Sequence, residues 1–186
     1  THSYELGVKV YEKNKLSDPF VLDSVRLHHA AVYDDEGRTY PHASPEEVPA
    51  YVKICKMADI YDAMTSKRCY KEAFNPINVV NDLYKQYADK NKELQLVLHT
   101  FVSVIGIYPP GSIVFLDNGQ MAYVMSAKGP IVIPFTDSQG DSLKVMDDPI
   151  EVSKQNQVKI NHRRPLIRPK QIYESLPQDL KNLIFS

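Results

Sequence analysis

The chain has 186 residues, of which 43% are apolar and 24% charged, and its formal net charge is -1. This size suits one domain, or one domain with a small appendage. The near-neutral charge argues against binding to a nucleic acid polymer or to an anionic membrane surface. No run reaches the roughly 18 apolar residues that span a bilayer, so we expect no membrane span in this chain.

The two cysteines, Cys55 and Cys69, form no CxxC motif. Because they do not suggest a disulfide framework and no signal-peptide pattern is present, we expect a cytoplasmic protein with reduced thiols. The chain begins with Thr1 and enters a helical pattern almost at once. We therefore expect a fragment of a longer protein, with further structure upstream.

The first two helices are marked by apolar spacing and by a clear start signal. Apolar residues at helical spacing predict a helix over residues 2–14. Asp18 followed by Pro19 predicts the start of the next helix, with Asp18 as N-cap. The far end of this second helix presents His28 and His29.

A polar loop over residues 33–47 separates these helices from a third. Ser44 and Glu47 fit a capping box, with a proline at the first helical position. From Tyr51 the helical spacing resumes, with Asp59 expected beside the core-facing side. The predicted core-facing residues are Ile54, Cys55, Ala58 and Tyr61.

Apolar residues at helical spacing predict two more helices, the first starting at Asn75-Pro76 and the second ending near Ile105. After these helices the spacing of the apolar residues changes from a helical period to the two-residue period of strands. Asn118-Gly119 between two apolar runs predicts a type I′ hairpin, and residues 131–135 predict a third strand at the sheet edge.

The predicted fold class is mainly α, a helical bundle with a small C-terminal β-hairpin or three-stranded sheet. We expect a helical core over residues 1–106, a small β element over 107–136 and a C-terminal extension over 137–186.

The histidine pair is the strongest candidate for chemistry. Adjacent helical residues point about 100° apart, so His28 and His29 suit a cluster of two or more ions better than a single ion. Asp59 adds a carboxylate, and His2 is a further candidate. Such ligands suit Fe, Mn or Zn. The alternative is that the histidines interact with a helix C-terminus and that the aspartate is solvated or salt-bridged.

A resemblance favours the metal site. The run Ala58–Lys71, which reads ADIYDAMTSKRCYK, together with His28-His29 and Tyr40-Pro41, resembles the HD-GYP family of HD-superfamily metal-dependent phosphohydrolases. The Tyr108–Gly111 and Asn118-Gly119 segments also resemble that family. The resemblance covers His2 to about Phe135.

The resemblance implies an HD-type helical bundle that hydrolyses cyclic di-GMP, a bacterial second messenger, at a binuclear or trinuclear centre of iron or manganese. It also implies roles for individual residues, without assigning a catalytic residue beyond the metal centre. The implied metal ligands are His2, His28, His29 and Asp59; the implied phosphate-binding cations are Arg68 and Lys71; and the GYP-like loop comprises Thr39, Tyr40 and Pro41. We expect His2 to converge with the other three ligands.

Three departures from the family pattern keep a second function open. Ala30 stands where the family has a glutamate, Thr39 replaces a loop glycine, and the His-Asp doublet is expected upstream of this chain. The alternative is a degenerate, non-catalytic module that binds a cyclic dinucleotide or a partner such as a diguanylate cyclase (GGDEF) domain. A homodimer and a hydrolase for another nucleotide also remain open.

Overall fold

The computed structural model describes residues 3–66, 74–152, 158–161, 172 and 176–185. They fall into two compact units. The first, here called the helical unit, comprises Thr1–Ala63 and Asp82–Phe101. The second, here called the sheet unit, comprises Met64–Asn81 and Val102–Ser186. The predicted divisions at residues 106 and 136 stay a prediction.

The described residues form six α-helices and a small antiparallel sheet, which confirms a mainly α fold with a C-terminal sheet. None of these helices is long and apolar enough to cross a membrane. The helices are α1 (Ser3–Lys13), α2 (Pro19–Leu27), α3 (Ala50–Thr65), α4 (Pro76–Tyr87), α5 (Lys92–Ile105) and α6 (Gln178–Phe185), and a short 3-10 helix spans Pro45–Glu47.

The start of α2 follows from the local sequence, as predicted. The Asp18 carboxylate accepts a hydrogen bond of 2.9 Å from the Phe20 backbone N–H, and Pro19 occupies the first turn. The helix ends at Leu27, so His28 is its C-cap residue. The local sequence thus places the histidine pair at the end of a helix.

The predicted core-facing stripe of α3 is wrong. Val52, Lys53, Lys56 and Met57 are the buried residues of this helix, whereas Ile54 is 37% exposed. Cys55, Ala58 and Asp59 are exposed, and only Tyr61 of the predicted stripe is half-buried.

The physical reason is that both lysines find carboxylate partners inside the helical unit. Lys53 pairs with Glu93 at 2.5 Å, and Lys56 pairs with Glu36 at 2.7 Å. Lysine stems also bury well against apolar neighbours. A hydrophobic pattern that counts lysine as polar therefore assigns the wrong face.

The sheet has the strand order β1-β2-β3-β4 and is antiparallel throughout. Its strands are β1 (Ile113–Phe115), β2 (Met121–Ser126), β3 (Ile131–Pro134) and β4 (Ile150–Glu151). The prediction of three strands with β3 at the edge is wrong. The short β4 pairs with Ile131 and Val132 of β3. Pro134 lies outside this pairing, so its missing N–H removes no hydrogen bond between β3 and β4.

Both faces of the sheet are covered by apolar residues of the sheet unit. One cluster joins Ile113, Tyr123 and Phe135 to Leu176 and Leu180. Strand neighbours that point the other way, such as Val114 and Val124, pack with Ile160. Residues beyond 136 therefore contribute to the core around the strands.

The β1–β2 hairpin differs from the predicted type I′ turn. Leu116 N–H bonds to Gln120 O at 2.8 Å and Gly119 N–H bonds to Leu116 O at 3.1 Å, which encloses a three-residue loop. Gly119 has a φ of +96°, whereas Asn118 is not among the described residues with positive φ. Type I′ requires positive φ at both central residues.

Gly119→Ala should destabilise the protein by more than Gly140→Ala. Both glycines have positive φ, and each change adds a left-handed backbone cost of about 1–2 kcal/mol. A Cβ at Gly119 would also lie 2.6 Å from the Ser138 carbonyl oxygen, whereas a Cβ at Gly140 meets nothing within 4 Å. Chemical denaturation measures both losses, and equal losses would show that the Ser138 contact is irrelevant.

Candidate metal centre

Three of the four predicted ligands come together in the helical unit. His28 and His29 follow the end of α2, and Asp59 lies on α3. One ligand atom from each of these residues can be chosen so that all lie within 4.8 Å of one another. This grouping is a geometric finding, whereas the role of these residues as metal ligands stays a prediction.

The His28 ring is held in a form that suits metal binding. Its Nδ1 lies 2.7 Å from the Ser24 carbonyl oxygen. Because a carbonyl only accepts, Nδ1 is the donor in this contact, and in the neutral tautomer that donates from Nδ1 the Nε2 lone pair is available to a metal. Histidines that bind metals commonly donate their other N–H to such a backbone carbonyl.

The His29 ring packs between its neighbour and the GYP-like loop. The ring centroids of His28 and His29 are 4.1 Å apart, and that of Tyr40 lies 4.9 Å from His29. The Tyr40 backbone N–H also donates to the His29 carbonyl oxygen at 3.2 Å. The loop therefore returns directly onto the histidine pair.

The loop contacts the histidine pair without a positive φ at Thr39. Its positive φ angles lie upstream, at Asp35 (+61°) and Gly37 (+85°), and the Tyr40–Pro41 peptide bond is cis. Thr39 is therefore compatible with the observed path of the loop.

Burial lowers the pKa of His29, and the neighbouring His28 lowers it further. Asp59 acts in the opposite direction on the same pKa, and Lys56 again lowers it. The neutral imidazole, which is the ligand form, is therefore favoured near pH 7. This neutral histidine, the free Nε2 of His28 and the Asp59 carboxylate form a donor set that fits a divalent first-row metal.

In the metal-free protein, His29 should titrate below its ordinary pKa of 6.5. The unfolded chain then binds the proton more readily, so the contribution of His29 to stability is complete above pH 6.5 and is lost as pH falls below it. NMR titration of the ring, assigned with a His29→Asn variant, measures the shift. A pKa at or above 6.5 would contradict this expectation.

A buried polar group that the sequence analysis did not identify lies beside the pair. Lys56 Nζ donates to the Ala30 carbonyl oxygen at 2.7 Å and pairs with Glu36. Burial lowers the pKa of Lys56, and its hydrogen bond and charge interaction with Glu36 act in the opposite direction. The polar loop over residues 33–47 is evident from the sequence, but no local signal links its Glu36 to a lysine on α3.

The remaining predicted site residues, His2, Arg68 and Lys71, lie outside the described residues. The expected convergence of His2 with the other ligands and the phosphate-binding roles of Arg68 and Lys71 stay predictions.

Comparison with known proteins adds one relationship. The chain is 32% identical over 111 residues to a cyclic di-GMP phosphodiesterase of Pseudomonas aeruginosa. The match covers 59% of this chain and 25% of that protein, so the chain spans about a quarter of the length of this relative. No family model and no solved structure matches the chain. Over more than half of its length, the chain is thus similar to a phosphodiesterase that is named for cyclic di-GMP.

Proposed function

We propose that this chain is part of an HD-GYP phosphodiesterase that hydrolyses cyclic di-GMP at a cluster of two or three divalent ions. The observation that carries the proposal is the grouping of His28, His29 and Asp59 within 4.8 Å. The similarity to a cyclic di-GMP phosphodiesterase supports the choice of substrate.

In this proposal His28 and His29 hold different ions of the cluster, and Asp59 binds one ion or bridges two. His2 is a further ligand in the proposal, and iron or manganese is the metal. When bound, such ions polarise the phosphodiester and lower the pKa of water. The protein's own part is to present two imidazoles and a carboxylate at fixed positions.

Arg68 and Lys71 complete the proposal as the groups that hold the phosphates of the substrate. Both are cations, and charge-assisted hydrogen bonds to phosphate oxygens are stronger than neutral ones. Arginine can bind a phosphate with two parallel N–H groups, whereas lysine acts as a point charge.

The proposal also includes a cytoplasmic location, a diguanylate cyclase (GGDEF) partner and a homodimer. The location rests on the two cysteines without a CxxC motif. The partner and the dimer rest on the resemblance alone.

The experiment is to strip the purified protein of metal, add Mn²⁺ or Fe²⁺, and follow cyclic di-GMP hydrolysis by chromatography. We expect turnover that depends on the added metal and that disappears with a chelator. A protein that binds no metal and hydrolyses no cyclic di-GMP under either ion would refute the proposal. A panel of other nucleotides separates this activity from that of an HD-type hydrolase with another substrate.

A specific observation favours the non-catalytic alternative as the second candidate. Ala30 is fully buried and supplies no carboxylate next to the pair. Glu36, a carboxylate further along the same segment, is engaged by Lys56, Tyr87 and the Val32 N–H and so cannot take its place. Titration calorimetry that shows cyclic di-GMP binding, without any hydrolysis in the metal-loaded protein, would support this alternative.

A further inference from the structure

A buried polar cluster joins the segment after the histidine pair to α3. We call it the Lys56 cluster; its members are Ala30, Val32, Glu36, Lys56 and Tyr87. All five side chains are buried or nearly so: Ala30 and Val32 are 0% exposed, Tyr87 is 1% and Lys56 is 7%, and the Glu36 side chain is 4% exposed.

Glu36 is satisfied at both carboxylate oxygens. Its Oε1 lies 2.7 Å from Lys56 Nζ and accepts a hydrogen bond of 3.1 Å from the Tyr87 hydroxyl. Its Oε2 accepts a hydrogen bond of 2.6 Å from the Val32 backbone N–H. Buried charges that are paired and fully hydrogen-bonded hold one geometry, because any displacement leaves a group unsatisfied.

The cluster connects the two parts of the chain that carry the candidate ligands. Lys56 Nζ donates to the carbonyl oxygen of Ala30, the residue that directly follows His29. Asp59 lies three residues after Lys56 on the same helix, which is nearly one turn. A displacement of Lys56 relative to Ala30 would therefore change the distance between the histidine pair and Asp59.

We propose that Lys56 and Glu36 are a positioning pair that holds His28-His29 against Asp59 and so sets the affinity of this centre for a divalent metal. The inference rests on the proposed metal centre. The pair suits this place because the charge of Lys56, which alone would repel a metal ion, is balanced by Glu36. Neither residue touches substrate in the proposal.

The same helix provides a matched control. Lys53 is 2% exposed and pairs with Glu93 at 2.5 Å, so it too is a buried, paired lysine on α3. Its carboxylate partner lies on α5 and not in the loop after the histidines. The two pairs differ in burial, because the Glu93 side chain is 48% exposed and the Glu36 side chain is 4% exposed. Removing a lysine–carboxylate pair from the buried face of α3 should affect stability in both variants, whereas a positioning role belongs to Lys56 alone.

The test compares Lys56→Met/Glu36→Gln with Lys53→Met/Glu93→Gln in metal-stripped protein. Each change removes both charges of its pair, which avoids leaving one buried charge alone. Free Mn²⁺ is measured by electron paramagnetic resonance during titration. We expect the Lys56 change to weaken Mn²⁺ affinity roughly 10–100-fold, as loss of groups that orient ligands does, and the Lys53 change to leave it unaltered.

Hydrogen exchange of the metal-free proteins gives a second readout. The Lys56 change should speed exchange at the Val32 and Tyr40 amides, which now donate to Glu36 and His29. The Lys53 change should leave these amides protected. Lys56→Gln/Glu36→Gln, which keeps hydrogen-bonding groups, replaces the first variant if that one does not fold.

Equal weakening by the two changes, or no weakening by the Lys56 change, would overturn the inference while leaving the proposed function intact. A selective loss of Mn²⁺ affinity in a protein that hydrolyses no cyclic di-GMP would uphold the inference and refute the proposed function. A parent protein that binds neither Mn²⁺ nor Fe²⁺ would overturn both.

Discussion

Under the proposed function, Asp59→Asn should remove divalent-metal binding at the histidine pair and lower cyclic di-GMP turnover by more than about a hundredfold. The carboxamide has nearly the same shape as the carboxylate, but it carries no charge and is a much poorer ligand. Loss of groups that merely orient ligands costs roughly 10–100-fold in affinity or activity, so the loss of a ligand should cost more. Mn²⁺ titration and the hydrolysis assay measure the two effects independently.

Asp82→Asn is the matched control for this change. Asp82 is an exposed carboxylate on α4 that lies 3.7 Å from the Lys85 ammonium group at the surface. Such exposed pairs contribute little to stability, about 0–1 kcal/mol. We expect metal binding and turnover of this variant to equal those of the parent. Full Mn²⁺ affinity in Asp59→Asn would show that Asp59 is not a ligand.

Phe135→Ala should destabilise the sheet unit by about 3–5 kcal/mol, the usual cost of removing a fully buried aromatic ring. Phe135 is 0% exposed and packs in the cluster that contains Ile113 and Leu180. The backbone bond from its N–H to Met121 O remains, so the loss reports the side chain alone. Urea denaturation measures the free energy of unfolding.

Val145→Ala is the control for Phe135, because Val145 lies in the same unit but is 68% exposed. Its truncation removes little buried surface and should change the free energy of unfolding by less than about 0.5 kcal/mol. If both truncations cost the same small amount, Phe135 does not belong to a tightly packed core.

Several features of this fold follow from short stretches of sequence. Asp18 and Pro19 define the start of α2 because capping needs only neighbouring residues. The change from a helical to a strand period near residue 108 places the sheet, because that periodicity reflects local geometry. The position of the hairpin was likewise predicted from the sequence, but its three-residue loop was not.

Other features depend on partners that are distant in sequence. The buried face of α3 contains Lys53 and Lys56 because Glu93 and Glu36 lie opposite them. β4 has only two residues, too few for any pattern, and it forms because β3 offers a free edge. Neither outcome can be read from the composition of the segment itself.

The candidate site divides in the same way. The sequence by itself determined that His28 and His29 stand together at the end of a helix, and its resemblance pointed to Asp59 as their partner. Only the tertiary structure brings ligand atoms of these three residues within 4.8 Å and places the Lys56–Glu36 pair beside them. Helix ends are encoded by neighbouring residues, whereas a buried ion pair depends on which distant charges the packing brings together, and that is decided only when the chain has folded.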